Sequence, residues 1–357
     1  MKVLVTGVGG QLGHDVMNEL AKRGYEGVGS DIAPAYSGVA DGSAVTTMPY
    51  VSMDITNAAA VAETIKSVNP DVIVHCAAWT AVDLAEDEDK KAKVFAINAE
   101  GTENIARVAK EIDAKMVYIS TDYVFNGRGT SPWKPDCKDY EPLNVYGESK
   151  LKGELAVSGT LEKYFIVRIA WVFGLNGKNF IKTMLKVGES HDTVRVVYDQ
   201  IGTPTYTLDL SRLLVDMIET DKYGYYHATN EGGFISWYEF TKEIYKQAGL
   251  PTKVLPVTTA EYGLSKAARP FNSRLDKSKL VEAGFKPLPT WHDAHGRYLK
   301  EIGVIAKDLR KSFVQGVSFH RTEAFFYYKA LHAFRAHAYG NCGACGMRNL
   351  LFDNRAV

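Results

Sequence analysis

The chain has 357 residues, enough for one large or two medium domains with a real core. Its 42 lysines and arginines balance 42 aspartates and glutamates, so no global field draws it to nucleic acid or to an anionic membrane. The 46% apolar fraction is ordinary for a globular protein, no apolar run reaches membrane-span length, and MKVLVTGVGGQLG shows no signal-peptide pattern. These features predict a soluble cytoplasmic protein with neither nucleic acid nor membrane as partner. The four cysteines, Cys76, Cys137, Cys342 and Cys345, are too few for a disulfide framework in a chain this long.

The first half alternates short β-branched runs with helical patterns. KVLVTG (2–7) is a strand closed by glycine, and 14–24 places Val16, Met17, Leu20 and Ala21 at helical spacing. Residues 25–31 read as a second strand and PYVSMD as a further β-like piece. Residues 55–69 read as a helix, 71–78 as a strand, 89–112 as one long helical stretch and 115–122 as a strand. Strands separated by helices, with no hairpin signals between them, predict a doubly wound parallel sheet (a Rossmann fold) over residues 1–165. Beyond it, 165–174 is another apolar strand, 179–190 and 208–220 are helical, and YYHATN (225–230) is a candidate to rejoin the sheet edge. A smaller mixed α+β substrate domain is expected over 166–303. Residues 304–357 depart in composition, rich in aromatics and histidine, and form an atypical tail of unknown role.

The first strand runs into Thr6-Gly7-Val8-Gly9-Gly10-Gln11-Leu12-Gly13 and then a helix. Glycines at 7, 10 and 13 allow a tight turn and let a pyrophosphate approach the helix N-terminus, where free N–H groups and the macrodipole favour anions. Asp31 ends the second strand. It suits the adenosine ribose hydroxyls and repels a 2′-phosphate, which favours NADH; a loop or capping acid is the alternative. Asp54 and Ile55 follow the next β-like piece as an adenine-edge contact, and the small residues Ala77 and Ala78 let the chain pass close to a cofactor.

Ser120 and Thr121 lie at the end of another strand, where ligands bind in open α/β sheets. In NVYGESK, Tyr146 and Lys150 stand four apart, on one face of a helix. Hydroxyl, phenol and ammonium make a set for reducing a carbonyl. Tyr146 donates the proton, Thr121 polarises the ketone, and Lys150 lowers the phenol's pKa from its ordinary value near 10 while holding the nicotinamide ribose.

These residues resemble the extended short-chain dehydrogenase/reductase family. STDYVFNG, PLNVYGESKLKGE, RIAWVFG, NFIKTML, DQIGTPT and NSRLD, in this order, are similar to the dTDP-4-dehydrorhamnose reductase family within it, over about residues 1–303. The resemblance implies an NADH- or NADPH-dependent reduction of a dTDP-4-keto sugar in dTDP-rhamnose and polysaccharide biosynthesis. It implies that Gly10, Gln11 and Leu12 meet the pyrophosphate, that Asp54 and Ile55 meet the adenine, and that Ala77, Ala78 and Trp79 line the nicotinamide side. Thr121, Asp122, Tyr146 and Lys150 would form the catalytic group. Thr80, Val82 and Trp171 would contact the sugar, and Asn179, Gln200 and Arg274 the nucleotide diphosphate, Arg being suited to a bidentate phosphate contact. Surface amides and core packing are the alternatives for Asn179, Gln200 and Trp171.

Some family members dimerise through magnesium held by glutamates. This chain offers Asp15 on the first helix and Leu208 where a second acid is sought, so no obligatory metal is expected, with monomer and homodimer both open. In the tail, Cys342 and Cys345 with His320, His332 and His337 lack the regular spacing of a closed zinc site. An epimerase or dehydratase of nucleotide sugars shares the fold and the Tyr-Lys pair. A non-catalytic subunit related to one that regulates methionine adenosyltransferase shares the scaffold. The intact Thr121, Tyr146 and Lys150 argue against the latter, and the later reductase-like motifs against the former.

Overall fold

The computed structural model describes residues 1–305. The tail cysteines and histidines named above lie outside the described residues. The elements run β1 (Lys2–Thr6), α1 (Gln11–Lys22), β2 (Glu26–Asp31), β3 (Tyr50–Ser52), α2 (Ala58–Val68), β4 (Val72–His75), α3 (Glu88–Phe95), α4 (Gly101–Glu111), β5 (Lys115–Thr121), α5 (Val145–Thr160) and β6 (Tyr164–Ile169). They continue with β7 (Val172–Phe173), α6 (Phe180–Ser190), β8 (Thr193–Val197), β9 (Ile201–Gly202), β10 (Thr205–Tyr206), α7 (Thr207–Ile218), β11 (Gly224–His227), β12 (Ile235–Ser236), α8 (Trp237–Ala248), β13 (Lys253–Val257), α9 (Thr259–Tyr262), α10 (Ser278–Glu282) and α11 (Trp291–Glu301).

Seven strands form one sheet in the order β11-β6-β5-β4-β1-β2-β3, and every pairing in it is parallel. Both faces are covered, which explains the continuous apolar runs in β1, β4 and β5. Side chains alternate across the pleat. Val3, Val5, Val72 and Val74 face a layer that includes Val16 and Leu20 of α1 and Leu210 and Leu214 of α7. Leu4, Ile73 and Met116 face the opposite layer, with Val61 and Ile65 of α2 and Ile105 of α4. Full burial of each such side chain contributes roughly 1.5–3 kcal/mol.

The doubly wound sheet expected from the sequence is present, and the 225–230 segment does rejoin its edge as β11, beside β6. The boundary expected at 165/166 falls inside β6, and α7 packs on the same sheet face as α1.

One sequence expectation is refined and one corrected. The helical stretch expected over 89–112 is present, with a π turn, Ala96–Glu100, between α3 and α4. That turn inserts an extra residue per loop of chain and aims Asn98 inward, where it is buried. The single strand over 165–174 breaks at Trp171, whose φ of 51° is left-handed, so β6 ends and β7 pairs separately with β10.

Candidate active site

The glycine turn stands at the carboxyl ends of the sheet strands. Gly7 has φ of 72°, and a Cβ there would stand 2.6 Å from the Ala77 nitrogen, so only glycine fits between β1 and the end of β4. Gly10 caps α1, and no side chain caps that helix end. Its orphan N–H groups therefore remain for an anion. Gly7, Gly10, Gln11, Leu12 and Gly13 all line a cleft of about 730 Å³. Asp31 lines the same cleft, and its Oδ2 accepts from the Gly9 N–H at 3.0 Å. Asp54 and Ile55 line it too; Asp54 Oδ1 already accepts from the Thr56 N–H at 2.9 Å. The Ser30 and Ser120 hydroxyls, buried in the cleft wall, have no hydrogen-bond partner among the described residues. Open helix N–H groups, a glycine cradle and orphaned hydroxyls along one wall fit a dinucleotide.

Further along the cleft lie Ala77, Ala78, Thr80 and Val82. His75 is buried between Thr6 (2.7 Å) and Thr102 (3.1 Å), and burial lowers its pKa to about 3. It is a neutral structural imidazole. Trp79 does not line the cleft. Its indole N–H donates to the Ala81 carbonyl at 3.0 Å, and its backbone is bracketed by the Asn98 amide, which also donates to Ser149 Oγ at 3.0 Å. Asn98 thus joins the Trp79 loop to the helix carrying Tyr146, a role that sequence reading missed because the π turn presenting it has no local signal.

The next wall carries Thr121, Asp122, Tyr146 and Lys150, all lining the cleft. Thr121 and Asp122 sit at the end of β5. Asn144 caps α5, its Oδ1 accepting from the Gly147 N–H at 2.8 Å. Gly147 lies against the Tyr123 carbonyl, where a Cβ would collide, so the first turn of α5 seats directly on the end of β5. One turn of helix then separates Tyr146 from Lys150. Thr121 Oγ1 donates to Asp122 Oδ1 at 3.0 Å and accepts from the Tyr123 N–H at 3.2 Å.

The expected lowering of the tyrosine pKa is corrected. Burial pushes the Tyr146 phenol up, and Asp122 adds to this, against the pull of the Thr121 hydroxyl. Burial lowers Lys150 to about 7, although Glu154 holds it up. Desolvation penalises both charged forms and outweighs the neighbouring charges in this cleft. Burial also pushes Asp122 up to about 6, against the Ser273 and Thr121 hydroxyls.

Trp171 lines the cleft and stacks on Trp237 with ring centroids 3.7 Å apart; Phe180 packs beside Trp237 at 4.4 Å. Trp237 also lines the cleft and was not singled out in the sequence. The available signal was the capping box of Ser236 and Glu239, which marks this residue as the first of a helix. Asn179 reaches the cleft wall, but its amide is committed. Oδ1 caps α6, and Nδ2 donates to Gln11 Oε1 (3.0 Å) and to the Tyr298 hydroxyl (2.8 Å). Gln200 and Arg274 do not line the cleft. Gln200 is buried and donates to Thr259 Oγ1 at 3.0 Å, while Arg274 bonds Asn272 Oδ1 at 3.0 Å and lies over the Phe234 ring. Among the described residues no group of three or more His, Cys, Asp or Glu is placed to hold a metal ion. Asp15 instead accepts from Thr207 Oγ1 at 2.5 Å.

Reduction of a carbonyl by hydride needs a dinucleotide cradle and a proton donor opening into one cleft. On an open parallel sheet, the glycine turn with the Thr121, Tyr146 and Lys150 wall defines an NAD(P)H-dependent oxidoreductase of the short-chain dehydrogenase/reductase type. The chain belongs to the family described as the RmlD substrate binding domain, whose model matches residues 1–304. It is 40% identical over 300 residues to the spore coat polysaccharide biosynthesis protein SpsK of Bacillus subtilis, covering 84% of this chain and 97% of that one. It is 38% identical to a dTDP-4-dehydrorhamnose reductase of Streptomyces griseus, covering 82% and 90%. A crystal structure of dTDP-4-dehydrorhamnose reductase from Bacillus anthracis in complex with NADP superposes with a TM-score of 0.75 at 38% identity, covering 84% of this chain and 99% of that one.

Proposed function

We propose that this chain reduces the 4-keto group of dTDP-4-dehydro-L-rhamnose with NADH or NADPH to give dTDP-L-rhamnose. The observation that carries this reading is the meeting of Thr121, Tyr146 and Lys150 in one cleft with the glycine turn. The reduced nicotinamide, when bound, supplies the hydride to the carbonyl carbon. Tyr146 gives its phenolic proton to the carbonyl oxygen as charge builds there. Its raised pKa keeps that proton in place at neutral pH, so it is the acid that is poised, not the phenolate. Thr121, on turning its hydroxyl proton away from Asp122 Oδ1, orients the same oxygen by a hydrogen bond. Lys150, whose pKa burial lowers to about 7, stabilises in its protonated form the tyrosinate left behind. Gly10, Gln11, Leu12 and Gly13 hold the pyrophosphate, Asp31 the adenosine ribose, and Asp54 and Ile55 the adenine edge. Thr80, Val82, Asp122 and the Trp171–Trp237 wall receive the sugar.

The family and the balanced net charge support a cytoplasmic enzyme acting on a sugar nucleotide, as a monomer or a homodimer. None of the described helices is long and apolar enough to cross a membrane.

The deciding experiment mixes enzyme, NADH or NADPH and the 4-keto sugar nucleotide, following nicotinamide absorbance and identifying the product sugar. One equivalent of reduced cofactor is expected to disappear per product alcohol. A changed sugar without cofactor loss points to an epimerase, and no change in either to a non-catalytic subunit.

A further inference from the structure

The first turn of α5, which carries Tyr146, is held from outside the sheet as well as by it. Asn144 caps the helix with Oδ1 and donates from Nδ2 to the Ala268 carbonyl at 2.8 Å. The next N–H, of Val145, donates to Glu86 Oε1 at 2.8 Å. Glu86 belongs to a short helical turn, Leu84–Glu86, and Ala268 to a stretch, 263–271, that forms neither helix nor strand. Asp83 joins these two pieces. Its carboxylate accepts from the N–H groups of Lys266 (3.1 Å) and Ala267 (3.0 Å), and from Arg269 Nη1 (3.1 Å) and Nη2 (2.8 Å) in a two-pronged ion pair. Both side chains are about nine-tenths buried, at 10% and 9% exposure. Lys266 also pairs with Asp87.

Asp83 directly follows Val82, which lines the cleft in the part that the reductase reading gives to the sugar. The Arg269 charge acts on Tyr123, whose ring packs edge-on against Tyr146 at 5.7 Å. Contacts therefore run from the cleft wall at Val82, through Asp83 and Arg269, to the cap of the Tyr146 helix.

We propose that the Asp83–Arg269 ion pair is a positioning device, coupling the sugar-side loop at Thr80–Val82 to the first turn of α5 so that the Tyr146 hydroxyl stands where the carbonyl oxygen arrives. Neither residue touches the reacting atoms; both act through Tyr146. The forked guanidinium fixes direction as well as distance, which a point charge does not. This inference rests on the reductase reading above.

The test uses the full chain with Asp83→Asn and, separately, Arg269→Lys. Asp83→Asn is expected to lower kcat roughly ten- to hundredfold, the scale of a small misplacement of a reacting group, with KM for NADPH unchanged because the glycine turn is untouched. Arg269→Lys keeps the charge and loses the fork, so its kcat is expected between the two. If Asp83→Asn is insoluble, Arg269→Lys carries the test alone. Parental kcat in a soluble variant overturns the inference. So does a fall in kcat matched by weaker NADPH binding and a lower thermal midpoint, which marks an ordinary brace of the fold. A parent enzyme silent toward the 4-keto sugar overturns the reductase reading and this one with it, whereas an active parent with unaffected variants overturns this one alone.

Discussion

Arg168 on β6 grips Glu154 on α5 through two parallel bonds, Nε to Oε1 at 2.8 Å and Nη2 to Oε2 at 2.7 Å, with both side chains at 0% exposure. The guanidinium is satisfied further by the Pro135 carbonyl and the Tyr140 hydroxyl, each at 3.0 Å. Glu154 stands one helical turn beyond Lys150 and is the anion that holds the Lys150 pKa up. Glu154→Gln leaves a buried guanidinium without its counter-charge, at a cost of about 3–5 kcal/mol. It also lets the Lys150 pKa fall further below about 7, so protonated Lys150 is lost at lower pH than in the parent. Urea denaturation and the pH profile of kcat/KM check both effects; a parental midpoint would mean that the pair contributes no net stability.

The proton donor is tested by Tyr146→Phe, which keeps the edge-on packing against Tyr123 and removes only the hydroxyl. Turnover is expected to drop at least ~10²-fold, the scale of a lost general acid. NADPH affinity, read by fluorescence titration, stays near the parental value. A fully active Phe variant removes Tyr146 from the mechanism.

The sheet and the Tyr146–Lys150 wall were legible because their signals are local. Apolar runs of strand length in β1, β4 and β5, glycine at 7, and a spacing of four in α5 each state their geometry within a few residues. What was not legible depends on tertiary placement. VFAINAE carries no helix breaker, so the π turn at Ala96–Glu100 had no sign in the chain. Trp171 reads as a strand residue, and its left-handed backbone arises where β6 leaves the sheet. Gln200 and Arg274 carry the right chemistry for a diphosphate, but the fold places neither on the cleft; Gln200 turns to Thr259 and Arg274 to Asn272. The spacing of Tyr146 and Lys150 places an ammonium near the phenol but carries no sign of the burial that penalises both charges and raises the tyrosine pKa.

Cofactor choice turns on Asp31, whose carboxylate accepts from Gly9 and from its neighbour Ile32 and faces the cleft. A carboxylate there repels a 2′-phosphate. Asp31→Ala is expected to raise kcat/KM for NADPH relative to NADH, measured with both donors under identical salt. A ratio that stays fixed, or moves toward NADH, shows that Asp31 does not face the ribose.

Asp15 gives a pH signature independent of catalysis. It is buried on α1 at 4% exposure and accepts from Thr207 Oγ1 at 2.5 Å. Burial raises its pKa from 3.8 to about 7; the Thr207 hydroxyl opposes the shift, and the Glu301 and Asp41 charges add to it. Between those two values the folded chain keeps a proton that the unfolded chain has released. The native state then binds more protons, so this group makes the unfolding free energy fall as pH rises through the window, and the full loss is reached above about 7. Asp15→Asn retains an oxygen to accept from Thr207 and cannot titrate. The variant is therefore expected to gain stability relative to the parent progressively from the acid end of the window to its neutral end. Asp122, raised to about 6, contributes a slope of the same sign, but it is present in both proteins and cancels in the difference. Urea midpoints of the two proteins measured across the window read this difference directly, and curves that stay parallel throughout would place the Asp15 carboxylate in water in the folded chain.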